Sequence, residues 1–179
     1  APRALAAVVV GAGPGSFTGV RIAAATAKGR VRALGVPLFA FSSLLAAAAA
    51  QRGAGHPVCA LFDARNREVY AGCWRFAGEE IAEVLAPVAA PLDEVLARLR
   101  GGEPPRFTGA GAALHRAAVE AAFGPGAVAG EGGSLAAALL WLARAVPERG
   151  WVADAAAWEP DYLRAAGAER IAAAAGGRR

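Results

Sequence analysis

The chain has 179 residues, enough to bury a substantial core as one domain or two small ones. Its 56% apolar and 19% charged content excludes a disordered chain, and its two cysteines are too few for a disulfide framework. The formal net charge of +4 conceals an imbalance: residues 1–62 hold six basic side chains and no carboxylate, whereas residues 63–179 hold 13 basic and 15 acidic ones.

Residues 5–10 read as an apolar strand that runs into a glycine-dense loop, Gly11-Ala-Gly-Pro-Gly-Ser-Phe-Thr18. Glycines at such a junction reach backbone angles closed to other residues and let another group approach the main chain. Pro14 stiffens the turn, and Ser16 or Thr18 caps a helix over 19–34 that stops at Gly35. Val20, Ala23, Ala24, Ala27, Val31 and Leu34 recur along one side of that helix, which spans roughly 24 Å. A face built mainly of alanine lets a second helix approach closely, and it equally suits a helix lying on its own sheet. Four of the six early basic residues (Arg21, Lys28, Arg30, Arg32) fall on this helix, as an electrostatic patch or a solvated face.

A strand at 37–41 follows, then Ser42 as a cap, a helix over 43–51 and a glycine hinge at 52–56. Strands at 57–63 and 68–76, joined by Ala64-Arg-Asn-Arg67, form a hairpin that carries Cys59 and Cys73 as reduced core thiols. A strand at 81–86, a helix at 92–100, a strand at 105–109 and a helix at 111–123 continue the alternation. A helix over 134–146, capped by Ser134, precedes an extended Trp158-Glu-Pro-Asp-Tyr-Leu-Arg164 and a basic tail. Strands alternating with helices give an α/β class, and the hairpin makes the sheet mixed. The greasiest stretch, Leu135 to Val146, is broken by Arg144 and falls short of the ~20 residues of a membrane helix. The opening Ala1 to Val10 is too short in its apolar part for a signal peptide, which points to a cytoplasmic protein.

The motifs exclude more than they assign. A P-loop needs Gly-Lys-Ser/Thr, yet no lysine precedes Lys28, and a dinucleotide fingerprint needs glycine where Ser16 stands. Backbone N–H groups of Gly13 and Gly15, with Ser16, still offer a weak anion site at the helix start. Asp63 at a strand end and the Thr108-Gly-Ala-Gly111 junction add a second weak set: Asp63 for magnesium, Gly109 and Gly111 for a phosphate. Arg65 and Arg67 reach a phosphate or a partner carboxylate in the same picture, or simply stay solvated. The two histidines, His56 and His115, form no metal motif, and Gly15-Ser-Phe-Thr-Gly19 is not a nucleophile elbow. No metal site and no catalytic residue is therefore expected. Aromatic residues are too sparse beside the basic segment for a base-stacking platform.

Gly13-Pro-Gly-Ser-Phe-Thr-Gly-Val-Arg-Ile22 closely resembles the signature of the TsaB family. These are glycoprotease-like dimerization subunits of the tRNA threonylcarbamoyladenosine synthase complex. Val36-Pro-Leu-Phe-Ala-Phe-Ser-Ser-Leu44, Asp63-Ala-Arg-Asn-Arg-Glu-Val-Tyr70 and Glu159-Pro-Asp-Tyr-Leu-Arg164 match in the same order. The resemblance implies an actin/Hsp70-like (ASKHA, ribonuclease H-like) fold of two lobes with mixed sheets and flanking helices. It places residues 1–55 in the first lobe and 56–179 in the second. Family members carry about fifty residues before this loop, so the first lobe is expected to be incomplete, lacking strands of its sheet.

The resemblance further implies a non-catalytic partner of a TsaD-like subunit, with a TsaE-like ATPase joining the pair and tRNA reached through the complex. This chain needs no cofactor; ATP and magnesium serve the complex. Phe17, Val20, Arg21, Ala24, Ala27, Lys28 and Val31 are the expected partner-binding residues, and a homodimer is a further possibility. The alternatives are a nucleotide-dependent phosphotransferase or ATPase using Gly13, Gly15, Ser16, Asp63, Gly109 and Gly111, and a glycoprotease-like peptidase.

Overall fold

The computed structural model describes residues 5–53, 55–64, 67–130 and 133–163. Arg3, Arg65, Arg164 and the basic tail lie outside the described residues. The chain builds two sheets. The first contains β1 (Val8–Gly13), β2 (Leu38–Ser42) and β7 (Trp151–Val152) in the order β1-β2-β7, parallel then antiparallel. The second contains β3 (Val58–Asp63), β4 (Glu68–Ala77), β5 (Glu80–Pro91) and β6 (Arg106–Thr108) in the order β5-β4-β3-β6. Its β3–β4 and β4–β5 pairs are antiparallel and its β3–β6 pair is parallel. This is the mixed α/β class that the alternation predicts.

Helix α1 (Phe17–Leu34) starts where Ser16 Oγ accepts the Gly19 N–H at 3.4 Å, and stops at Gly35 with φ 66°. Its first turn therefore begins two residues before the expected helix, because the serine cap binds the backbone N–H three residues on. Side chains alternate along β1: Val10 packs with Ala27 of α1, whereas Val9 packs toward α2 (Ser43–Ala49) and α6 (Leu135–Ala145). Six consecutive residues of α2, Leu44 to Ala49, are buried. A helix apolar all round is one enclosed on all sides, and α2 lies between the two sheets, touching β1, β3, β4 and α6. Ser42 and Ser134 cap α2 and α6 as their positions predict.

In β3 every residue from Val58 to Leu61 is buried, because both faces are covered. Val58 and Ala60 join the cluster with α2 and α6, while Cys59 and Leu61 join one with α3 (Leu92–Leu99), Phe107 and Val119. Cys59 stands opposite Cys73 in the ladder. Both thiols are free and buried, and burial pushes the Cys59 thiol well above its ordinary value.

Four expectations need correction. The first strand runs to Gly13, so the leading glycines belong to the strand and not to the loop. The strand expected at 81–86 extends over Glu80–Pro91 because it stays paired to β4 across two register shifts. The helix expected at 111–123 divides into α4 (Ala110–Leu114) and α5 (Arg116–Phe123) at His115, whose φ of −105° and ψ of 23° leave the helical region. Strand β7 lies in a stretch to which the sequence assigns no element, and it hydrogen-bonds to the first sheet although it follows the whole second sheet in sequence.

Candidate functional site

The glycine junction is filled by the chain itself. The Asp161 N–H donates to Ala12 O at 2.8 Å, which lays residues 154–163 as a strap over the end of β1. Gly13 has φ +104°, and a Cβ there would lie 2.7 Å from Asp161 O. Its N–H donates to Ser43 Oγ at 3.2 Å, and a Cβ on Gly11 would stand 3.0 Å from the same oxygen. Gly13 is thus required by the close approach of the strap, and Gly11 leaves room for the Ser43 side chain of α2. The Ser16 hydroxyl is engaged in capping α1, and a Cβ on Gly15 would press Val20 Cγ2 at 3.3 Å. The cleft left among Pro14, Gly15, Phe17, Val20, Tyr70, Asp161, Tyr162 and Leu163 measures ≈ 20 Å³. That is room for about one water and not for a nucleotide. In this closed arrangement Gly13 is buried under the strap, whereas Gly15 and Ser16 are exposed at the start of α1.

Asp63, Gly109 and Gly111 do come together, at one end of β3. A Cβ on Gly109 would meet Leu61 O at 2.6 Å, and one on Gly111 would meet Leu61 and Phe62 backbone atoms at 2.9 Å. Both glycines let α4 settle onto β3, a packing role that accounts for them without a phosphate. Asp63 is exposed at the strand end opposite Val69. Arg67 adopts φ 63° in the turn and is exposed. Among the described residues, no group of three His, Cys, Asp or Glu side chains is placed to hold a metal ion, and no helix is long and apolar enough to cross a membrane.

Of the expected partner-binding residues, Ala24, Ala27 and, in part, Val20 and Val31 are turned inward, whereas Phe17 and Arg21 are exposed. Ala24 is 6% and Ala27 3% exposed, and Ala27 packs with Val10 and Leu38, while half-buried Val31 covers the same cluster. Val20 is half-buried against the cleft beside Pro14. Of the two arrangements open to an alanine face, the molecule uses this one to cover its own sheet. Arg21 and Lys28 both contact the strap. The Arg21 guanidinium lies 3.7 Å from the Phe17 ring centroid and donates from Nε to Tyr162 Oη at 3.1 Å. Lys28 Nζ donates to Ala156 O at 3.0 Å and pairs with Glu159 at 3.4 Å.

The opposite side of α1 is the open one. Ile22, Ala25, Gly29 and Ala33 are exposed at steps of three and four residues, so they form one stripe. Ile22 is 62% exposed and Phe17, at the start of the helix, 53%. A Cβ on Gly29 would meet nothing within 4 Å. Arg30 and Arg32 are exposed as well, so the basic character reaches the surface. The sequence holds both stripes, and alanines occur in each. The strap was foreseen as extended, but its contacts with β1 and α1 were not; Pro160-Asp-Tyr162 is the signal that marks it.

Residues 1–139 match the family model described as TsaD: tRNA N6-adenosine threonylcarbamoyltransferase. The chain is similar to the tRNA threonylcarbamoyladenosine biosynthesis protein TsaB of Bacillus subtilis (strain 168). The two are 34% identical over 170 residues, which is 94% of this chain and 74% of that protein. A 66-residue stretch, 37% of this chain, is 46% identical to an uncharacterized protein of Mycobacterium tuberculosis (strain ATCC 25618 / H37Rv), covering 30% of it. Among solved structures, an uncharacterized Pseudomonas aeruginosa protein with similarity to peptidase YEAZ superposes with a TM-score of 0.69 at 30% identity. The match covers 92% of this chain and 76% of that one. YeaZ from Pseudomonas aeruginosa gives a TM-score of 0.65 at 30% identity, over 91% and 76% of the two chains. These neighbours share the actin-like fold.

Proposed function

The chain belongs to the TsaB family, and from that membership we propose that it is a non-catalytic pairing subunit in the biosynthesis of tRNA threonylcarbamoyladenosine. It docks on a TsaD-like transferase, the subunit that carries the chemistry, and acts in the cytoplasm. A TsaE-like ATPase and the tRNA engage the assembled pair, and the ATP and magnesium are used there. In the absence of the transferase the same surface supports a homodimer.

The observation that carries this reading is the outward stripe of α1, where Ile22, Ala25, Gly29 and Ala33 are exposed around small side chains. A stripe of glycine and alanine lets a partner helix come to the near end of the usual ~8–10 Å spacing, and Ile22 offers an apolar knob to it. The filled glycine junction supports the non-catalytic part: a cleft of ≈ 20 Å³ leaves no room for a nucleotide, which speaks against the phosphotransferase alternative. The peptidase reading rests only on the description of one solved neighbour, and Gly15-Ser-Phe-Thr-Gly19 is not a nucleophile elbow.

The test is association with a TsaD-like partner measured by calorimetry and co-purification. Ile22→Glu or Ala25→Glu is expected to abolish binding while leaving the melting temperature of the chain within about 2 °C, as fits surface positions of small stability effect. Undiminished binding by both variants rejects this surface. Turnover of ATP or of a peptide by the purified chain alone rejects the non-catalytic reading.

A further inference from the structure

A larger cleft lies at the other end of β3 from Asp63 and Gly109. It measures ≈ 580 Å³ and is lined by Ala50, Gln51, Gly53, His56 and Arg106. Those residues stand after the end of α2, before β3 and at the start of β6. Since β3 and β6 run parallel, the cleft adjoins their amino ends, whereas Asp63 and Gly109 sit at their carboxyl ends. Sites for small ligands run from about 300 to 1,000 Å³ and favour junctions between structural units.

Three of the lining residues, Gln51, His56 and Arg106, carry side chains that can donate hydrogen bonds. Arg106 Nη1 donates to Gly126 O at 2.8 Å, which fixes the guanidinium and uses one of its five N–H groups. Gln51 Nε2 donates to Gly130 O at 3.5 Å and has a second N–H. His56 Nδ1 stands 3.5 Å from Glu103 Oε1, leaving Nε2 on the other side of the ring. Glu103 is also bound by Arg75, whose guanidinium holds that carboxyl below the usual carboxylate range. The neighbouring carboxylate is therefore already committed to two basic groups. The lining residues thus supply a guanidinium tethered through Nη1, an imidazole and an amide group.

We propose that this cleft binds a phosphate group. A guanidinium fork matches phosphate oxygens in pairs, and the charge-assisted bonds it makes are about twice as strong as neutral ones. The volume exceeds that of a bare phosphate, so the phosphate is the anchor of a larger group, either a free nucleotide or the backbone of an RNA. The site is separate from the outward stripe of α1 and stands or falls independently of pairing.

The experiment follows backbone and Gln side-chain amides by NMR while the protein is titrated with inorganic phosphate, adenosine monophosphate and an anticodon stem-loop RNA. Saturable movement at Gln51, Gly53, His56 and Arg106 is expected. Arg106→Ala should weaken it about tenfold or more, the effect of one charged hydrogen bond. Gln51→Ala and His56→Ala leave the Arg106 anchor in place and should each weaken it too, so they decide the matter if Arg106→Ala fails to fold. Binding of the mononucleotide alone identifies a free ligand; binding of the RNA with competition by phosphate identifies a backbone. No movement with any of the three probes, movement confined to other residues, or movement that survives the substitutions overturns the proposal.

Discussion

Replacing Gly13 by alanine sets a methyl group 2.7 Å from the carbonyl oxygen of Asp161, on a backbone whose φ is +104°. A non-glycine residue in such a sparsely populated region costs about 1–3 kcal/mol. The strap must also retreat, which breaks the Asp161-to-Ala12 hydrogen bond, a loss of about 0.5–1.5 kcal/mol. Together the two give about 1.5–4.5 kcal/mol, a large part of the ~5–15 kcal/mol by which a domain is stable. At this chain length the melting temperature should fall by about 3–18 °C. Urea denaturation measures the change, with Gly29→Ala as the comparison. Gly29 is helical and a Cβ there meets nothing within 4 Å, so that variant should gain up to about 1 kcal/mol. The loss at Gly13 should be complete with no nucleotide present, which separates a packing glycine from a ligand-binding one. A Gly13→Ala protein within about 0.5 kcal/mol of the parent would refute the reasoning, since that is the range of an inconsequential surface change.

Two further outcomes follow from the same neighbourhood. Burial pushes the Asp161 carboxyl up, so the folded chain keeps its proton at pH values where the unfolded chain has released it. Stability should therefore fall as pH rises through that interval and level off above the folded value; Asp161→Asn should remove the slope, and an unchanged slope in denaturation curves would contradict the burial. Ala24 is 6% exposed against the molecule's own sheet, so Ala24→Glu should destabilise the chain itself by about 3 kcal/mol or more, the cost of burying an unpaired charge, as read by thermal melting without any partner.

Most of the fold is legible in the residues because each element carries its own punctuation. Ser16, Ser42 and Ser134 mark three helix starts, and Gly35 marks a stop at φ 66°. The continuous apolar run of β3 announces a strand covered on both faces. What escapes is set by tertiary contacts. Trp151–Val152 is a two-residue strand with no periodicity to read, and only its pairing with Leu38 and Phe39 defines it. His115 breaks a helix in a sequence of good helix formers. The candidate site divides along the same line. The helix and its small residues are plain, but with alanine at 23, 24, 25, 27 and 33 the pattern cannot say which stripe meets the sheet. Likewise the glycines announce a close approach without saying to what, and it is Asp161 of the chain's own strap that approaches Gly13.

The short strand at Trp151–Val152 has a consequence for biosynthesis. Its hydrogen bonds with Leu38 and Phe39, and the edge-on contact of the Trp151 and Phe39 rings at 5.5 Å, join residues made early with residues made late. On the ribosome β3, β4 and β5 can pair as soon as their hairpins emerge, while the first sheet waits for a piece delivered long after its neighbours. Severing the chain in the turn near Gly53 would accordingly not yield two independent folding units, because the earlier half would be left without the strand and the strap that close it.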